Sequence, residues 1–182
     1  MKFIPTSIQD VLIIEPTLFA DERGFFMEAF HRQRYADAGI RYDFVQDNQS
    51  LSMKGTLRGL HYQIVHVQGK LVRALKGTVF DVAVDLRKNS PTFGKWVGVI
   101  LDADKKNQLW IPPFFAHGFY VLSEQAEVLY KTTDYYDPQA ERCIMWNDPQ
   151  LGIEWPIDEH TPLLLSPKDQ QGIGFKQAEV FD

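Results

Sequence analysis

The chain has one cysteine, no long apolar run and no excess of positive charge, and each of these shortages excludes a class of protein. Cys143 alone cannot form an internal disulfide or build a zinc site, and it fits a reducing compartment. No apolar run approaches the roughly 20 residues that span a bilayer, and the first residues lack the apolar segment of a signal peptide. A net charge of −5 argues against general nucleic-acid binding, although it allows a local basic pocket. We therefore expect a cytoplasmic protein with neither a membrane nor a nucleic-acid partner.

The length and composition predict a single domain over residues 1–182. Domains typically contain about 100–200 residues. A chain of this size buries about 70% of the surface that the unfolded chain exposes, so it needs no disulfide bonds or bound metal to stabilise its core. Hydrophobic residues make up 45% of the chain and charged residues 24%, which is ordinary for a globular protein. Prolines become frequent after Asp134, so residues 134–182 are predicted to form an extended flank that wraps the domain.

Short segments rich in β-branched and aromatic residues recur between turn signals and predict strands. A helix is predicted from His31 to Ala38, closed by Gly39, and a short helical turn is predicted at Ser166 with Pro167 in its first position. Many short strands and few helices are typical of an antiparallel sandwich or barrel. The predicted strands are Val11–Glu15, Phe25–Phe30, Lys70–Lys76, Thr78–Leu86, Trp96–Leu101, Gln108–Ile111, Gly118–Leu122 and Val128–Thr133.

Three ionisable residues, Lys70, His117 and Tyr130, alternate with apolar residues along their predicted strands. If those faces point inward, a lysine, a histidine and a tyrosine converge in the interior. Buried ionisable groups are costly unless they are paired or functional, so a pocket that holds several of them is a candidate site. In the opposite register Lys70 and Tyr130 face solvent, and the alternation alone does not decide between the two.

His61 lies in the segment Leu57–Gln63, three residues after Arg58 and next but one to the flexible Gly59. An arginine guanidinium can bind a phosphate group through two hydrogen bonds. A histidine base close to such an arginine therefore fits a phosphorylated substrate. Taken singly, a histidine near a strand is more often structural and an arginine is more often a surface charge.

The spacing of the candidate ligand residues tests whether the chain binds a metal ion. Cupin-type double-stranded β-helix proteins usually bind a metal through two histidines one residue apart, a glutamate and a later histidine. Here Gln63 stands where the second histidine is expected, and Lys70 stands roughly where the acidic ligand is expected. An ammonium group repels a cation. His117 remains, and His66 has the wrong spacing, so we expect no metal.

The sequence resembles the dTDP-4-dehydrorhamnose 3,5-epimerase family from about Ile8 to Asp169. So many matches in order are more specific than any single motif. The segments that carry the resemblance are Asp21–Phe26, Phe44–Asn48, Leu57–Gln63, Gln68–Arg73, Phe80–Asp85, Ser90–Gly94, Trp110–Pro112, Ala116–Phe119, Tyr130–Lys131 and Tyr135–Tyr136.

The resemblance implies an all-β, cupin-type double-stranded β-helix (a jelly roll) with a few short helices, which works as a homodimer without a metal or other cofactor. It implies a dTDP-sugar substrate and inversion of C3 and C5 of dTDP-4-dehydro-6-deoxy-D-glucose. The product is dTDP-4-dehydro-L-rhamnose, an intermediate of dTDP-L-rhamnose biosynthesis. Each proton removed lies α to the C4 ketone, so the carbanion is stabilised as an enolate.

The resemblance also assigns catalytic roles. His61 matches the base, and Asp169 matches the carboxylate that orients it. Lys70 matches the cation near the C4 oxygen, where negative charge develops. Tyr130 matches the acid that returns a proton from the opposite face. Without the resemblance, Tyr130 would be a sheet tyrosine and Asp169 a loop or helix-start carboxylate.

The family's substrate-binding residues carry over in the same way. Tyr136 matches an aromatic residue that stacks on thymine, and the segment Arg23–Glu28 is expected to reach the partner subunit's site. The implied substrate-binding residues are Arg23, Phe26, Glu28, Gln46, Asn48, Arg58, His117, Tyr136, Glu141 and Lys168.

The loop Ile64–Val67 departs from the family, and its His66 is expected to be exposed without an assigned role. Three other functions stay open. The chain could invert one centre only, at C3 or C5 of a related dTDP-4-keto sugar. It could bind a sugar nucleotide without catalysis, or it could be a metal-dependent cupin oxygenase.

Overall fold

Short strands dominate the computed structural model, which describes residues 1–182. The two helices are α1 (Arg32–Asp37) and α2 (Pro167–Gln170), and a 3-10 turn covers Phe175–Gln177. Neither helix is long or apolar enough to cross a membrane. The strands are β1 (Lys2–Pro5), β2 (Leu12–Glu15), β3 (Leu18–Asp21), β4 (Gly24–Met27), β5 (Gln46–Met53), β6 (Leu57–Gln63), β7 (Lys70–Lys76), β8 (Thr78–Asp85), β9 (Trp96–Asp102), β10 (Gln108–Ile111), β11 (Phe115–Val121), β12 (Gln125–Thr132) and β13 (Glu141–Cys143).

The strands form two antiparallel sheets and a separate hairpin. The six-stranded sheet has the order β1-β2-β10-β7-β12-β5, and the five-stranded sheet has the order β13-β6-β11-β8-β9. Strands β3 and β4 pair only with each other. Neighbours such as β7 and β12 are far apart in the chain, which is typical of a jelly roll.

The main core lies between the two sheets. Val72 and Val128 from the six-stranded sheet pack in one cluster with Ala83 and Phe119 from the five-stranded sheet. Each fully buried apolar side chain of this kind contributes about 1.5–3 kcal/mol relative to an exposed one. The interlayer core therefore fixes how the two sheets face each other.

The outer face of each sheet is also covered. Tyr35 of α1 packs with Leu71 and Trp110 on the outside of the six-stranded sheet. Ile144 and Phe175, from the C-terminal segment, belong to a cluster on the outside of the five-stranded sheet. The C-terminal segment is thereby anchored next to β6, and this contact brings α2 to the end of that strand.

The prediction of an all-β, cupin-type jelly roll is confirmed. The barrel alternative is wrong, because the two sheets keep free edges at β1 and β5 and at β13 and β9. Alternation reveals strands but does not tell whether a sheet closes on itself. Strands β7 and β10 have the predicted bounds, whereas β1, β3, β5, β6 and β13 were not predicted.

The two predicted helical segments are present with slightly different ends. His31 is the residue before α1, and its side chain accepts a hydrogen bond from the Arg34 backbone N–H. Gly39 follows the helix with φ of 95°, a conformation that favours glycine. In α2, Pro167 is the first helical residue and Ser166 caps the N-terminus.

Candidate active site

A cavity of about 360 Å³ opens between the two sheets. The six-stranded sheet supplies its wall from β5, β7 and β12, and the five-stranded sheet supplies the opposite wall from β6, β11 and β13. Helix α2 contributes Lys168 and Asp169 to the lining. The lining residues are Asn48, Ser50, Arg58, His61, Tyr62, Gln63, Gln68, Lys70, His117, Phe119, Tyr130, Tyr136, Glu141, Ser166, Lys168 and Asp169.

Strand alternation explains why polar groups reach this cavity. Successive side chains of a strand point to opposite faces, and Val72, Phe119 and Val128 all belong to the interlayer core. Residues two positions away on the same strands therefore point between the sheets as well. The predicted residues that line the cavity are His61, Lys70, Tyr130, Asp169, Asn48, Arg58, His117, Tyr136, Glu141 and Lys168.

His61 and Asp169 form a close pair although they come from distant parts of the chain. Nε2 of His61 lies 2.8 Å from Oδ1 of Asp169. The Nε2 atom is buried, and no acceptor lies along a well-aligned hydrogen-bond direction. Because the Asp169 carboxylate is only 2.8 Å away, Nε2 is the nitrogen that pairs with it, which leaves Nδ1 available for proton transfer.

Asp169 is held by the start of its own helix. Its Oδ2 accepts hydrogen bonds from the hydroxyl and the backbone N–H of Ser166, at 2.6 Å and 3.2 Å, and its Oδ1 accepts one from the Gly59 N–H at 3.1 Å. Burial alone would raise the pKa of this carboxyl, but the contacts with His61, Ser166 and Gly59 outweigh burial and lower the pKa to about 2. Asp169 is therefore a carboxylate at neutral pH.

Gly59 allows β6 to pass close to β11 beside this pair. Its φ is 137°, and a Cβ at this position would lie 2.5 Å from the Gly118 Cα. The same close approach aligns the Gly59 N–H with Asp169. A larger residue at position 59 would therefore disturb both the strand pairing and the carboxylate.

Lys70 begins β7 and is buried, with only 7% of its surface exposed. Its Nζ donates a hydrogen bond to the carbonyl oxygen of His61 at 3.3 Å. Burial lowers the pKa of Lys70 to about 8, although the negative charges of Asp81 and Glu141 oppose that shift. A buried ammonium in a cavity can stabilise negative charge that develops on a bound molecule.

Tyr130 lies on the sheet opposite His61. It belongs to β12, whose neighbours are β5 and β7, whereas His61 belongs to β6. Burial raises the pKa of Tyr130, and the Glu141 charge raises it further. Tyr130 therefore keeps its proton at neutral pH and can donate it.

A second buried histidine–carboxylate pair lies on β11 and β8. Nε2 of His117 is 2.9 Å and 3.0 Å from the two carboxylate oxygens of Asp81, which is fully buried. Burial lowers the pKa of His117, and the Asp81 charge opposes the shift. Asp81 was missed as a site residue, although it is an acidic residue with apolar neighbours on both sides in β8.

Glu141, Lys168 and Tyr136 form a further group of contacting residues in the cavity. The ammonium of Lys168 contacts the Glu141 carboxylate, and the Tyr136 hydroxyl donates a hydrogen bond to it at 2.7 Å. The Tyr136 backbone N–H in turn donates to Oε1 of Gln46 at 3.0 Å. Gln46 does not line the cavity, but it contributes by holding Tyr136.

Three predicted binding residues lie away from this cavity. Arg23 and Phe26 belong to the β3–β4 hairpin, where Arg23 pairs with Asp21 and Phe26 is 70% exposed. Glu28 follows the hairpin and pairs with Arg34 at 3.0 Å. A single chain does not bring these residues to His61.

Several lining residues were not predicted as site residues. Ser50, Gln63 and Phe119 each lie two positions after a predicted site residue on the same strand, so alternation could have identified them. The Ser50 hydroxyl is buried without a hydrogen-bond partner, so it is available to a bound molecule. The others are Tyr62, Gln68 and Ser166.

The usual metal-ligand set of cupins is not assembled around His61. The side chain of Gln63 is hydrogen-bonded within the protein. Its amide NH₂ donates a hydrogen bond to the His66 carbonyl, and its amide oxygen accepts one from the Asp137 N–H. The side chains of His61, Cys143 and Asp169 do offer one ligand atom each, and these atoms lie within 4.8 Å of one another. His66 is exposed and pairs with Asp134 at 3.3 Å.

Comparison with known proteins gives similarity over nearly the whole chain. The sequence model of the dTDP-4-dehydrorhamnose 3,5-epimerase family matches residues 5–177. A dTDP-4-dehydrorhamnose 3,5-epimerase from Pseudomonas aeruginosa is 57% identical over 182 residues, which cover 100% of this chain and 99% of that protein. A dTDP-4-dehydrorhamnose 3-epimerase from Streptomyces niveus is 38% identical over 180 residues, which cover 98% of this chain and 86% of that protein.

The fold is also similar to that of solved epimerase structures. A crystal structure of dTDP-6-deoxy-D-glucose-3,5-epimerase from Legionella pneumophila in complex with dTDP-4-keto-L-rhamnose has a TM-score of 0.95 to this chain. The two sequences are 55% identical, and the alignment covers 98% of this chain and 94% of that one.

Proposed function

The chain belongs to the dTDP-4-dehydrorhamnose 3,5-epimerase family, as its motifs predict, and from that premise we propose that it inverts C3 and C5 of dTDP-4-dehydro-6-deoxy-D-glucose. The product would be dTDP-4-dehydro-L-rhamnose, for use in dTDP-L-rhamnose biosynthesis. The observation that carries this proposal is the position of His61 and Tyr130 on opposite walls of one cavity.

Inversion needs a base on one face of the sugar ring and an acid on the other. His61, oriented by Asp169, removes the proton from C3, and the electron pair moves into the enolate at the C4 oxygen. Tyr130 then returns a proton to C3 from the opposite sheet, and the same sequence is repeated at C5. Solvent exchange restores the two side chains to their starting protonation states. A histidine suits the base role because its pKa lies near neutrality.

The enolate carries negative charge on the C4 oxygen. The ammonium of Lys70 is the group that stabilises this charge. Its ammonium is buried and tied to the His61 carbonyl, so the base and the cation have a fixed spacing. His117, held by Asp81, is a second polar group of the cavity and lies on the wall that carries His61. A preorganised cation in a cavity shielded from water is worth more than one in solvent.

Basic and aromatic residues of the same cavity suit the nucleotide. Arg58 and Lys168 line the cavity and carry the positive charge that a diphosphate requires. Tyr136 is 51% exposed and is held by Glu141 and Gln46. An exposed, fixed aromatic ring of this kind can stack on thymine.

We also propose that the chain acts as a homodimer through the β3–β4 hairpin. Phe19, Phe25 and Phe26 are more than half exposed on this hairpin, an arrangement that is typical of an interaction surface. In a dimer, Arg23 and Glu28 of each chain would complete the partner's cavity. Because dimer interfaces are self-complementary, both sites would be completed in the same way.

The flank formed by residues 134–182 supplies Glu141, Lys168 and Asp169 to the cavity. We therefore propose that it forms one functional domain with the sheets. The free thiol of Cys143 fits a reducing compartment, and we propose the cytoplasm as the site of action.

A single-centre epimerase is the main alternative, since a 3-epimerase is among the relatives. The test is incubation with dTDP-4-dehydro-6-deoxy-D-glucose in D₂O, with and without a coupled rhamnose-forming reductase, followed by NMR of the products. Deuterium at both C3 and C5 and formation of the L-rhamno product support the proposal. Exchange at one carbon only defeats the double-inversion proposal, and no exchange favours a non-catalytic binding protein.

A further inference from the structure

Cys143 lies beside the catalytic pair but has no role in the proposed reaction. It is the residue of β13 that pairs directly with His61 of β6, and directly opposed residues of antiparallel strands have side chains about 4.5–5.5 Å apart at Cβ. Asp169 reaches the same point from α2. As a result, ligand atoms of a histidine, a cysteine and an aspartate lie within 4.8 Å of one another.

This combination of donors matches the preferences of zinc. Zn²⁺ binds histidine nitrogen, cysteine sulfur and carboxylate oxygen at roughly 2.0–2.3 Å, so ligand atoms around one tetrahedral ion are about 3.3–3.7 Å apart. In the protein the His61–Asp169 pair is closer than this, at 2.8 Å, and no two of the three ligand atoms are more than 4.8 Å apart, about 1 Å beyond the range. Small side-chain rotations would close that gap.

His61 and Cys143 lack a strong hydrogen bond at the point where the three groups meet, whereas Asp169 accepts hydrogen bonds from Ser166 and Gly59. Nε2 of His61 has no well-aligned hydrogen bond, and the Cys143 thiol makes only long contacts, at 3.8 Å and 3.7 Å, to the Gly59 and Ile144 carbonyls. Asp169 is already a carboxylate. Lys70 and Lys168 place positive charge in the same cavity, so the affinity should be lower than that of a structural zinc site.

We propose that His61, Cys143 and Asp169 form an inhibitory site for Zn²⁺ or a similar soft divalent cation. The ion replaces the thiol proton, which passes to solvent, and no electron transfer is involved. Binding would hold His61 and Asp169 away from the substrate. The inhibitory effect rests on the proposed epimerase function, whereas metal binding itself does not.

Cobalt binding tests the site without reference to activity. Co²⁺ replaces zinc in such sites and gives a thiolate-to-cobalt charge-transfer absorption, which can arise only from Cys143 because the chain has no other cysteine. The variants are Cys143→Ser, His61→Asn and, as a control, His160→Gln, since His160 is exposed and does not line the cavity. We expect the band in the unmodified chain and in His160→Gln, and its loss in Cys143→Ser. Circular dichroism checks that each variant is folded.

Zinc inhibition is then measured with chelator-treated enzyme. We expect turnover to fall as Zn²⁺ is added and to return with EDTA. Removing a ligand should weaken inhibition at least as much as the roughly tenfold that loss of an outer-shell partner costs, so Cys143→Ser should be at least tenfold less sensitive. The proposal is overturned if cobalt gives no thiolate band or if Cys143→Ser binds and is inhibited as strongly as the unmodified chain. A thiolate band in a chain without epimerase activity would uphold the metal site and reject the proposed function.

Discussion

Nε2 of His61 lies 2.8 Å from Oδ1 of Asp169, so a carboxylate from the C-terminal flank orients a histidine in the middle of strand β6. The carboxylate is itself fixed by Ser166 and by the Gly59 N–H. The ring is therefore held from one side only, with its other nitrogen free for chemistry. This relationship makes the pair, rather than either residue, the unit to be tested.

Replacing Asp169 with asparagine should lower kcat by about 100- to 1000-fold, because the histidine loses the charge that orients it and stabilises its protonated form. Binding of dTDP, measured by calorimetry, should be unchanged. Asp134→Asn is the matched control, since Asp134 pairs with the exposed His66 outside the cavity. An Asp169→Asn enzyme with full turnover would reject the role of Asp169.

Replacing Tyr130 with phenylalanine should separate proton removal from inversion. The base would still remove protons, so deuterium from D₂O should enter C3, but delivery from the opposite face would be lost and inversion should fall by about 100-fold or more. His61→Asn should abolish both processes, and Tyr135→Phe should affect neither because Tyr135 does not line the cavity. NMR of substrate recovered from D₂O measures exchange and inversion together. Normal inversion by Tyr130→Phe would contradict the assignment.

The pH dependence of kcat/KM should report Lys70. Its pKa is lowered to about 8 by burial, so the ammonium is charged below that pH and loses its charge as the pH rises through it. Activity should therefore decline above about pH 8, well below the pH at which an ordinary lysine titrates. Lys70→Arg should be slower but should lack this decline, because arginine stays charged. A decline at the same pH in Lys70→Arg, measured in chelator-containing buffer, would assign it to another group.

Sequence patterns predict the fold class better than they predict the strands that carry the site. The apolar strands β7 and β10 have the predicted bounds, whereas β5 and β6 were missed. β5 reads QDNQSLSM, which has little apolar or β-branched content, and β6 contains Gly59 and no β-branched residue, although Leu57, Leu60 and Tyr62 are buried in it. The polar residues of these strands include Asn48, Arg58 and His61, which line the cavity.

The long-range pairs could not be derived from local patterns. Nothing in the alternation around His61 indicates that Asp169 lies beside it, because the contact depends on how the C-terminal segment packs on the outer face of the five-stranded sheet. The family resemblance predicted the pairing, and Asp81 beside His117 was missed. Local patterns also do not show whether Arg23 serves the cavity of its own chain or that of a partner chain.

Mixing two inactive variants decides whether Arg23 serves its own cavity or the partner's. Arg23→Ala should be strongly impaired because its arginine no longer reaches the partner's substrate, and His61→Asn should be inactive because it lacks the base. In a mixed dimer, one cavity combines the intact His61 of one chain with the intact Arg23 of the other, and the second cavity lacks both.

With equal mixing after reversible unfolding, half of the dimers are mixed and half of their cavities are complete, so about a quarter of the unmodified activity should return. Mixing Arg23→Ala with Asp169→Asn should give the same recovery, since Asp169 belongs to the same chain as His61 in each cavity. Mixing His61→Asn with Asp169→Asn should give none, because every cavity then lacks one member of the pair. If Arg23→Ala and His61→Asn also fail to complement each other while forming mixed dimers, Arg23 acts within its own chain and the proposed exchange of residues across the dimer is wrong.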